Sequence, residues 1–381
     1  MNTSKTKTAV AVTRCPDYDD ERIRAAVRKA IGLIGGLADV IKPGDKVLLK
    51  ANMLAPSDPE AAVTTHPAIV RAVIGAVKDA GGIPVVADSP GYFYAGGKCR
   101  ALTMCGLKEV ADELEVESTQ FEAMENGFVK TDVPGGVYLN RIYAARLALE
   151  ADVIITLPKL KTHASTWYTG AVKNMFGAVA TKTRKQAHKL ATYERFSGSV
   201  VDIYSVLKPG LAIMDAVVGM EGEGPRHGKP RKAGLILASK DPVALDAVAS
   251  KIIGFDPMEI ATTRDASTRG LGNGNLDDID VLGERIADVA LDFDKPSGKR
   301  INIPPFIMKI AANFLKVEPL CVEEVCDKCS ICAKSCPVDA IAMSPYPAID
   351  RKVCIECYCC NEMCPTGAME IRKSWLAKRF G

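Results

Sequence analysis

Apolar positions between residue 8 and about residue 285 follow two alternating periods. Short β-branched runs read as strands, and the stretches between them repeat apolar residues at helical spacing. Thr8–Val12 predicts a strand. Asp19–Leu37 then places Ile23, Val27, Ile31, Ile34 and Leu37 on one helical face. Lys46–Leu49 predicts the next strand. A helix follows at His66-Pro67, with proline in its favoured first turn and Ile69, Val70, Val73, Ile74 and Val77 turned inward. Ile83–Ala87, Val153–Leu157, Leu211–Met214 and Leu235–Ala238 read as further strands, the last leading into a helix near Asp241-Pro242. Strands with helices between them predict an α/β body whose mostly parallel sheet is covered on both faces. Residues 97–150 show no clear period.

The pattern changes after residue 295. KPSGKRINIPP is turn-rich, and Phe306–Lys316 carries Phe306, Ile307, Ile310 and Phe314 on one side of a short helix. The expected organisation is an α/β domain over 1–300, a linker and docking helix over 301–318, and a small α+β domain over 319–381. A surface helix lying on a membrane is the other reading of that segment, because the tail RKSWLAKRF is basic and carries Trp375 and Phe380.

The small domain is defined by its cysteines. Cys326, Cys329, Cys332 and Cys336 precede Pro337, and Cys354, Cys357, Cys360 and Cys364 precede Pro365. Both runs read C-x2-C-x2-C-x3-C-P, the bacterial ferredoxin spacing in which the fourth cysteine serves the cluster of the other run. Cys326, Cys329, Cys332 and Cys364 are therefore expected on one [4Fe–4S] cluster, and Cys336, Cys354, Cys357 and Cys360 on the second. One run could be a zinc site; two in tandem, offset by 28 residues, predict two cubanes of a 2[4Fe–4S] ferredoxin domain. The repeat also predicts two pseudo-symmetric halves. Cys15, Cys99, Cys105, Cys321 and Cys359 remain over. The first three and Cys359 are expected to be buried thiols without a ligand role.

Composition adds limits. With 48% hydrophobic and 25% charged residues the chain is an ordinary globular one. Its formal charge of +3 falls to about −1 once eight ligand thiolates and two oxidised cubanes are counted, so no nucleic-acid partner is expected. No apolar run is long enough to span a membrane, and MNTSKTKTAV lacks the apolar core of a secretory signal. Thiolate ligands and oxygen-sensitive clusters suit a reducing cytoplasm.

Candidate chemistry in the body gathers at predicted strand ends, where open α/β sheets bind ligands. Lys159, Lys161, His163, Lys173 and Asn174 follow the strand ending at Leu157. Lys50 and Asn52 follow another strand, Asp88 and Ser89 a third, and EGEGPRHG with Arg226 follows the strand at 211. Several cations on one rim predict a small anionic substrate, a carboxylate or phosphate. His163 could act as acid, base or metal ligand, and Lys173 could polarise a carbonyl or clamp a charge. EGEGPRHG reads as a mobile loop or anion nest, and Lys182–Lys189 as an exposed helix face.

These stretches resemble the uncharacterised iron–sulfur proteins called domain of unknown function 362. The likeness covers roughly residues 45–260 through Lys50-Ala-Asn52, Thr65-His-Pro67, Asp88-Ser-Pro-Gly91, PKLKTH with TGAVKNMFG, MDAVVGMEGEGP and Asp241-Pro-Val-Ala-Leu-Asp246. A tandem-cluster tail is frequent in that family. His163 and Lys173 around a Thr-Gly turn also look like the His…Gly…Lys stretch of lactate-racemase-type enzymes. The glycine pair and the Pro-Gly that follow the lysine there are absent here, so the nickel-pincer nucleotide those enzymes hold is not carried over. The leading functional expectation is an oxidoreductase that relays electrons between a soluble donor or acceptor protein and an anionic substrate or cofactor. A non-catalytic electron carrier or docking module, and a non-redox enzyme with structural clusters, are the alternatives.

Overall fold

The structure is a computed structural model that describes residues 7–91, 100–190, 192–296 and 317–373. Its strands, in chain order, are β1 (Thr8–Arg14), β2 (Lys46–Lys50), β3 (Ile83–Asp88), β4 (Glu117–Gln120), β5 (Phe128–Asp132), β6 (Arg141–Ala145), β7 (Val153–Thr156) and β8 (Lys159–His163). There follow β9 (Trp167–Thr169), β10 (Leu211–Glu221), β11 (Lys229–Ser239), β12 (Ile279–Gly283), β13 (Val317–Cys321), β14 (Ile341–Met343), β15 (Pro347–Ile349) and β16 (Met369–Lys373).

Ten of these strands make one sheet in the order β12-β1-β11-β10-β7-β2-β3-β4, with β8 beside β10 and β9 beside β8. Most neighbours are parallel; β11 runs antiparallel to β1 and β10, and β9 antiparallel to β8. The fold is α/β with a mixed, mainly parallel sheet. Side chains alternate across a strand, and the core follows that rule. Val47 and Leu49 of β2, with Leu211 and Ile213 of β10, pack under the helices Asp20–Leu33 and Pro67–Asp79. Leu48 faces the opposite side with the helix Tyr193–Val206, and Ala212 and Met214 meet the helix Pro242–Ile252.

The first predicted helix is shorter than its apolar period. It ends at Leu33, because Gly35 and Gly36 adopt φ of 88° and 76°, a left-handed backbone that stops a helix at little steric cost. His66 caps the second helix as its side chain accepts from Ala68 N–H, and Pro67 opens it. Cys15 and Cys105 are buried thiols, as expected. Cys99, the segment Phe306–Lys316 and the tail beyond 373 lie outside the described residues. No helix among the described residues is long and apolar enough to cross a membrane.

The largest departure lies at Lys159. The residues after β7 do not form a rim loop; they continue as β8, all five of them buried. β10 is eleven residues long and outruns β7, which pairs only with Leu211 and Ala212. Its exposed edge is taken up by β8, with Asp215 opposite Lys159 and Met220 opposite Lys161.

The cysteine-rich segment is a small region with two short antiparallel sheets, β13 with β16 and β14 with β15. Its repeat is visible in the backbone. Lys328, Ser330 and Asp339 have positive φ, and so do Glu356, Tyr358 and Gly367, each 28 positions later. Two short helices, Ile331–Ser335 and Cys359–Met363, start after Ser330 and Tyr358.

Candidate functional site

One cavity opens where β2, β3, β8 and the helix Ala171–Asn174 meet the helix Cys359–Met363. It brings together Lys50, Asn52, Asp88, Ser89, Lys161, His163, Lys173 and Asn174, eight of the ten body residues singled out from the sequence. Lys159 and Arg226 do not line it.

Asn174 ties the site to the sheet. Its Nδ2 donates to Lys50 O, Ala51 O and Thr156 Oγ1 at 3.2, 3.2 and 2.9 Å. Its Oδ1 accepts from Lys50 Nζ at 3.2 Å and Asn52 Nδ2 at 3.1 Å. Lys50 Nζ stands 2.5 Å from Asp88 Oδ1, both side chains almost fully buried. Burial pushes the Lys50 ammonium down, and Asp88 opposes that shift. Gly177 makes the pairing fit, because a Cβ there would come within 2.6 Å of Asp88 Oδ1.

The turn that presents Lys173 is held from beneath by Asp246. Its carboxylate accepts from Ala171 N–H at 2.7 Å and Val172 N–H at 3.0 Å, and Gly170 leaves it room. The Lys173 Nζ lies 5.6 and 5.9 Å from the centres of Phe176 and Phe196. Burial brings it down to about 8, with Glu362 acting in the other direction. Lys161 Nζ donates to Val63 O at 2.8 Å and is pushed well below its usual value by burial and by Lys173. Lys50 is neutralised by Asp88 and Arg184 by Glu122. Lys161 and Lys173 are then the amino groups that face the cavity against Glu362, and a small anion between them would favour their charged forms.

His163 has both ring nitrogens assigned by its neighbours. Nδ1 accepts from the N–H of Ser165 and of Thr166, at 3.0 and 3.3 Å, so the proton sits on Nε2, 3.5 Å from Glu362 Oε1. Burial, then Lys173 and Lys161, hold His163 well below the usual histidine range. It is a neutral N–H donor here. Ser89 Oγ donates to Glu122 Oε2. Thr169 Oγ1 and Asn52 Oδ1 also line the cavity and are buried without a hydrogen-bond partner in the protein.

Lys159 belongs to a different cluster. Its Nζ meets Asp215 Oδ2 at 2.9 Å and Tyr18 OH at 2.7 Å, and Tyr18 OH also accepts from Val218 N–H. This group satisfies the backbone at the β10 bulge between Ala216 and Val218. Arg226 lies in the β10–β11 turn outside the cavity. That turn is no open loop: Ala164 N–H donates to Gly224 O at 2.9 Å, and His227 Nε2 meets Asn361 O at 2.9 Å.

Sequence reasoning missed Arg184, His188, Cys359, Glu362 and Met363 as cavity residues. Arg184 and His188 sit in the run read as an exposed helix face, yet both are buried. Arg184 reaches Pro90 O and Glu122, and His188 stacks on Phe196. The signal available was the spacing of the two residues, four apart on one helix face. Glu362 carried none, being one residue in a cysteine run.

A second, small cavity is lined by Cys336, Cys354, Cys357 and Cys360, with Cys359. Ala340 N–H donates to Cys336 Sγ at 3.2 Å. Cys332 and Cys364 pack together with Cys360, Ala368 and Met369, and Cys326 lies against them. Cys329 is exposed. Among the described residues no three His, Cys, Asp or Glu side chains converge on a single-ion site. A cubane would spread four thiolates over four irons instead, and eight cysteines clustered around one small region suit metal-cluster binding.

Among curated proteins, the thylakoid-associated protein of Synechocystis sp. is 35% identical over 265 residues, which is 69% of this chain and 80% of that protein. Among solved structures, the lactate racemase apoprotein from Thermoanaerobacterium thermosaccharolyticum aligns at a TM-score of 0.42 with 9% identity, covering 66% of this chain. A structural-genomics protein from Thermotoga maritima aligns at 0.37 with 14% identity, covering 57% of this chain. The chain spans 58% and 55% of those two structures, and no property of either is carried over. Residues 47–251 match the family described as Domain of unknown function (DUF362), and the chain belongs to that family.

Proposed function

We propose that this protein is an iron–sulfur electron-transfer protein, an oxidoreductase whose cysteine-rich region serves a small anion held in the α/β body. Cys326, Cys329, Cys332 and Cys364 would hold one [4Fe–4S] cluster, and Cys336, Cys354, Cys357 and Cys360 the other. When bound, such clusters accept and release single electrons. The observation that carries this reading is the position of the helix Cys359–Met363. It lies between ligand thiols, and the same few residues close the cavity that Lys161 and Lys173 face.

The protein's own residues have distinct tasks. Lys161 and Lys173 attract the anion, and the apolar walls from Phe176, Met53 and Met363 keep water away and strengthen that attraction. Lys173, brought down to about 8, exchanges a proton near neutral pH and is the general acid of the site. His163 is fixed as a neutral donor at Nε2 and orients the ligand or Glu362. Thr169 Oγ1 and Asn52 Oδ1 offer it further hydrogen bonds. A soluble protein donor or acceptor exchanges electrons at the cysteine-rich region.

Anaerobic purification tests the reading through iron, sulfide and zinc content and the electron paramagnetic resonance (EPR) spectrum of the reduced protein. About eight irons per chain with cubane signals is the expected outcome. A preparation rich in zinc, or free of iron, removes the proposal. Exchange of His163→Ala or Lys173→Met is expected to weaken ligand binding while the iron content stays as in the parent protein.

A further inference from the structure

The helix Cys359–Met363 borders two cavities at once. Cys359, Glu362 and Met363 line the cavity of Lys161 and Lys173, and the same Cys359 lines the one bounded by Cys336, Cys354, Cys357 and Cys360. A single side chain is the shared wall. Cys326, Cys329, Cys332 and Cys364 line neither cavity. Around them Cys329 and charges of both signs, Glu323, Glu324, Asp327, Lys328 and Lys334, are exposed. The two thiol sets thus differ in what they border: the inner one shares the Cys359 wall with the cavity of Lys173, with Glu356 and Glu362 also nearby, and the outer one faces solvent with charges of both signs.

Resting on the cluster reading above, we propose that the ligand cavity is electrostatically coupled to one thiol set alone, the inner set Cys336, Cys354, Cys357 and Cys360, and that Cys326, Cys329, Cys332 and Cys364 form an outer set insulated from it. One-electron reduction of the cluster that a set would hold adds one negative charge there. Cations across the Cys359 wall favour that charge, and burial keeps their field from being screened. The cavity cations therefore raise the inner potential, and an electron held there sits beside the cavity. Linkage makes the coupling reciprocal: an anion bound between Lys161 and Lys173 lowers the inner potential, and reduction of the inner set loosens the anion. The device is a redox-linked release of ligand.

The test is an EPR-monitored redox titration of the anaerobic holoprotein at neutral pH. Cys329→Ser alters the signal of the outer set and so identifies it. Lys173→Met is expected to move only the other signal, to lower potential, with Lys173→Arg restoring the parent value. Glu324→Gln, on the exposed side two residues before Cys326, is expected to raise only the outer potential. The proposal is overturned if Lys173→Met leaves both potentials in place, moves both together, or moves the signal that Cys329→Ser alters. Absence of cubane signals from the parent protein strikes the cluster reading itself, which separates the two failures.

Discussion

Lys173 and His163 illustrate how neighbours set the role of a side chain. Both are held below their ordinary values by burial first, but only Lys173 is left near the working range. Its ammonium is charged below about 8 and neutral above. It is surrounded by Lys50, Lys161, Glu362 and the Cys359 thiol, with the Phe176 and Phe196 rings on its other side. Affinity for a small carboxylate such as acetate should therefore be retained below about 8 and decline as pH rises through it. Isothermal titration across that range checks this, and a flat affinity contradicts it. His188 gives a stability prediction of the opposite limb. Burial, Lys173 and Arg184 push it down to about 3 from 6.5, so the unfolded chain takes up its proton first. Its contribution is whole above about 6.5 and is lost as pH falls toward about 3. Replacing it by phenylalanine should flatten the acid limb of a plot of urea midpoint against pH. Gly177 makes a steric prediction. A Cβ there would collide with the buried Lys50–Asp88 pair, so Gly177→Ala should cost about 1–3 kcal/mol, read from urea unfolding.

Among the elements, the one most exposed to test is the helix Ala171–Asn174. Four residues are too few to hold a helix by propensity alone, so its position depends on the acceptor beneath it. Asp246 receives two of its first N–H groups, and Tyr168 OH stands 3.3 Å from the same carboxylate. Asp246→Ala would leave both N–H groups buried without partners, at about 1–3 kcal/mol each. The expected result is a large fall in urea midpoint together with weakened acetate binding, because Lys173 and Asn174 lose their placement. Asp246→Asn keeps one acceptor oxygen and should fall between the two. The helix Pro242–Ile252, which carries Asp246, was readable from its Asp241-Pro242 start. Its second task, supporting the site directly through Asp246, was not.

For the whole molecule, the arrangement depends on the body and the cysteine-rich region sharing one helix surface. Ser165 Oγ donates to Glu362 Oε1 at 3.1 Å, and His227 meets Asn361 O. Gly91 lies so close to Met363 that a Cβ would need that side chain to move. The β10–β11 turn, read in the sequence as a mobile loop or anion nest, supplies part of this contact instead. The α/β body and the cysteine runs thus form two walls of one cavity.

By itself the sequence determined whatever depends on neighbours within one element. Strand and helix periods place Val47, Leu49, Ile69 and Val73 in the core because side-chain direction repeats locally. The two cysteine runs announce their grouping through spacing alone, and their 28-residue repeat reappears in the backbone. What only the tertiary structure decided is which charges cancel. Lys50 finds Asp88 and Asn174, the latter 124 residues away, and Lys159 finds Asp215 at a distance of 56 residues. Nothing local distinguishes these lysines from Lys161 and Lys173. In a buried site a charge is defined by the partner it meets, and those meetings are made by the sheet order, which brings strands distant in the chain to adjacent positions.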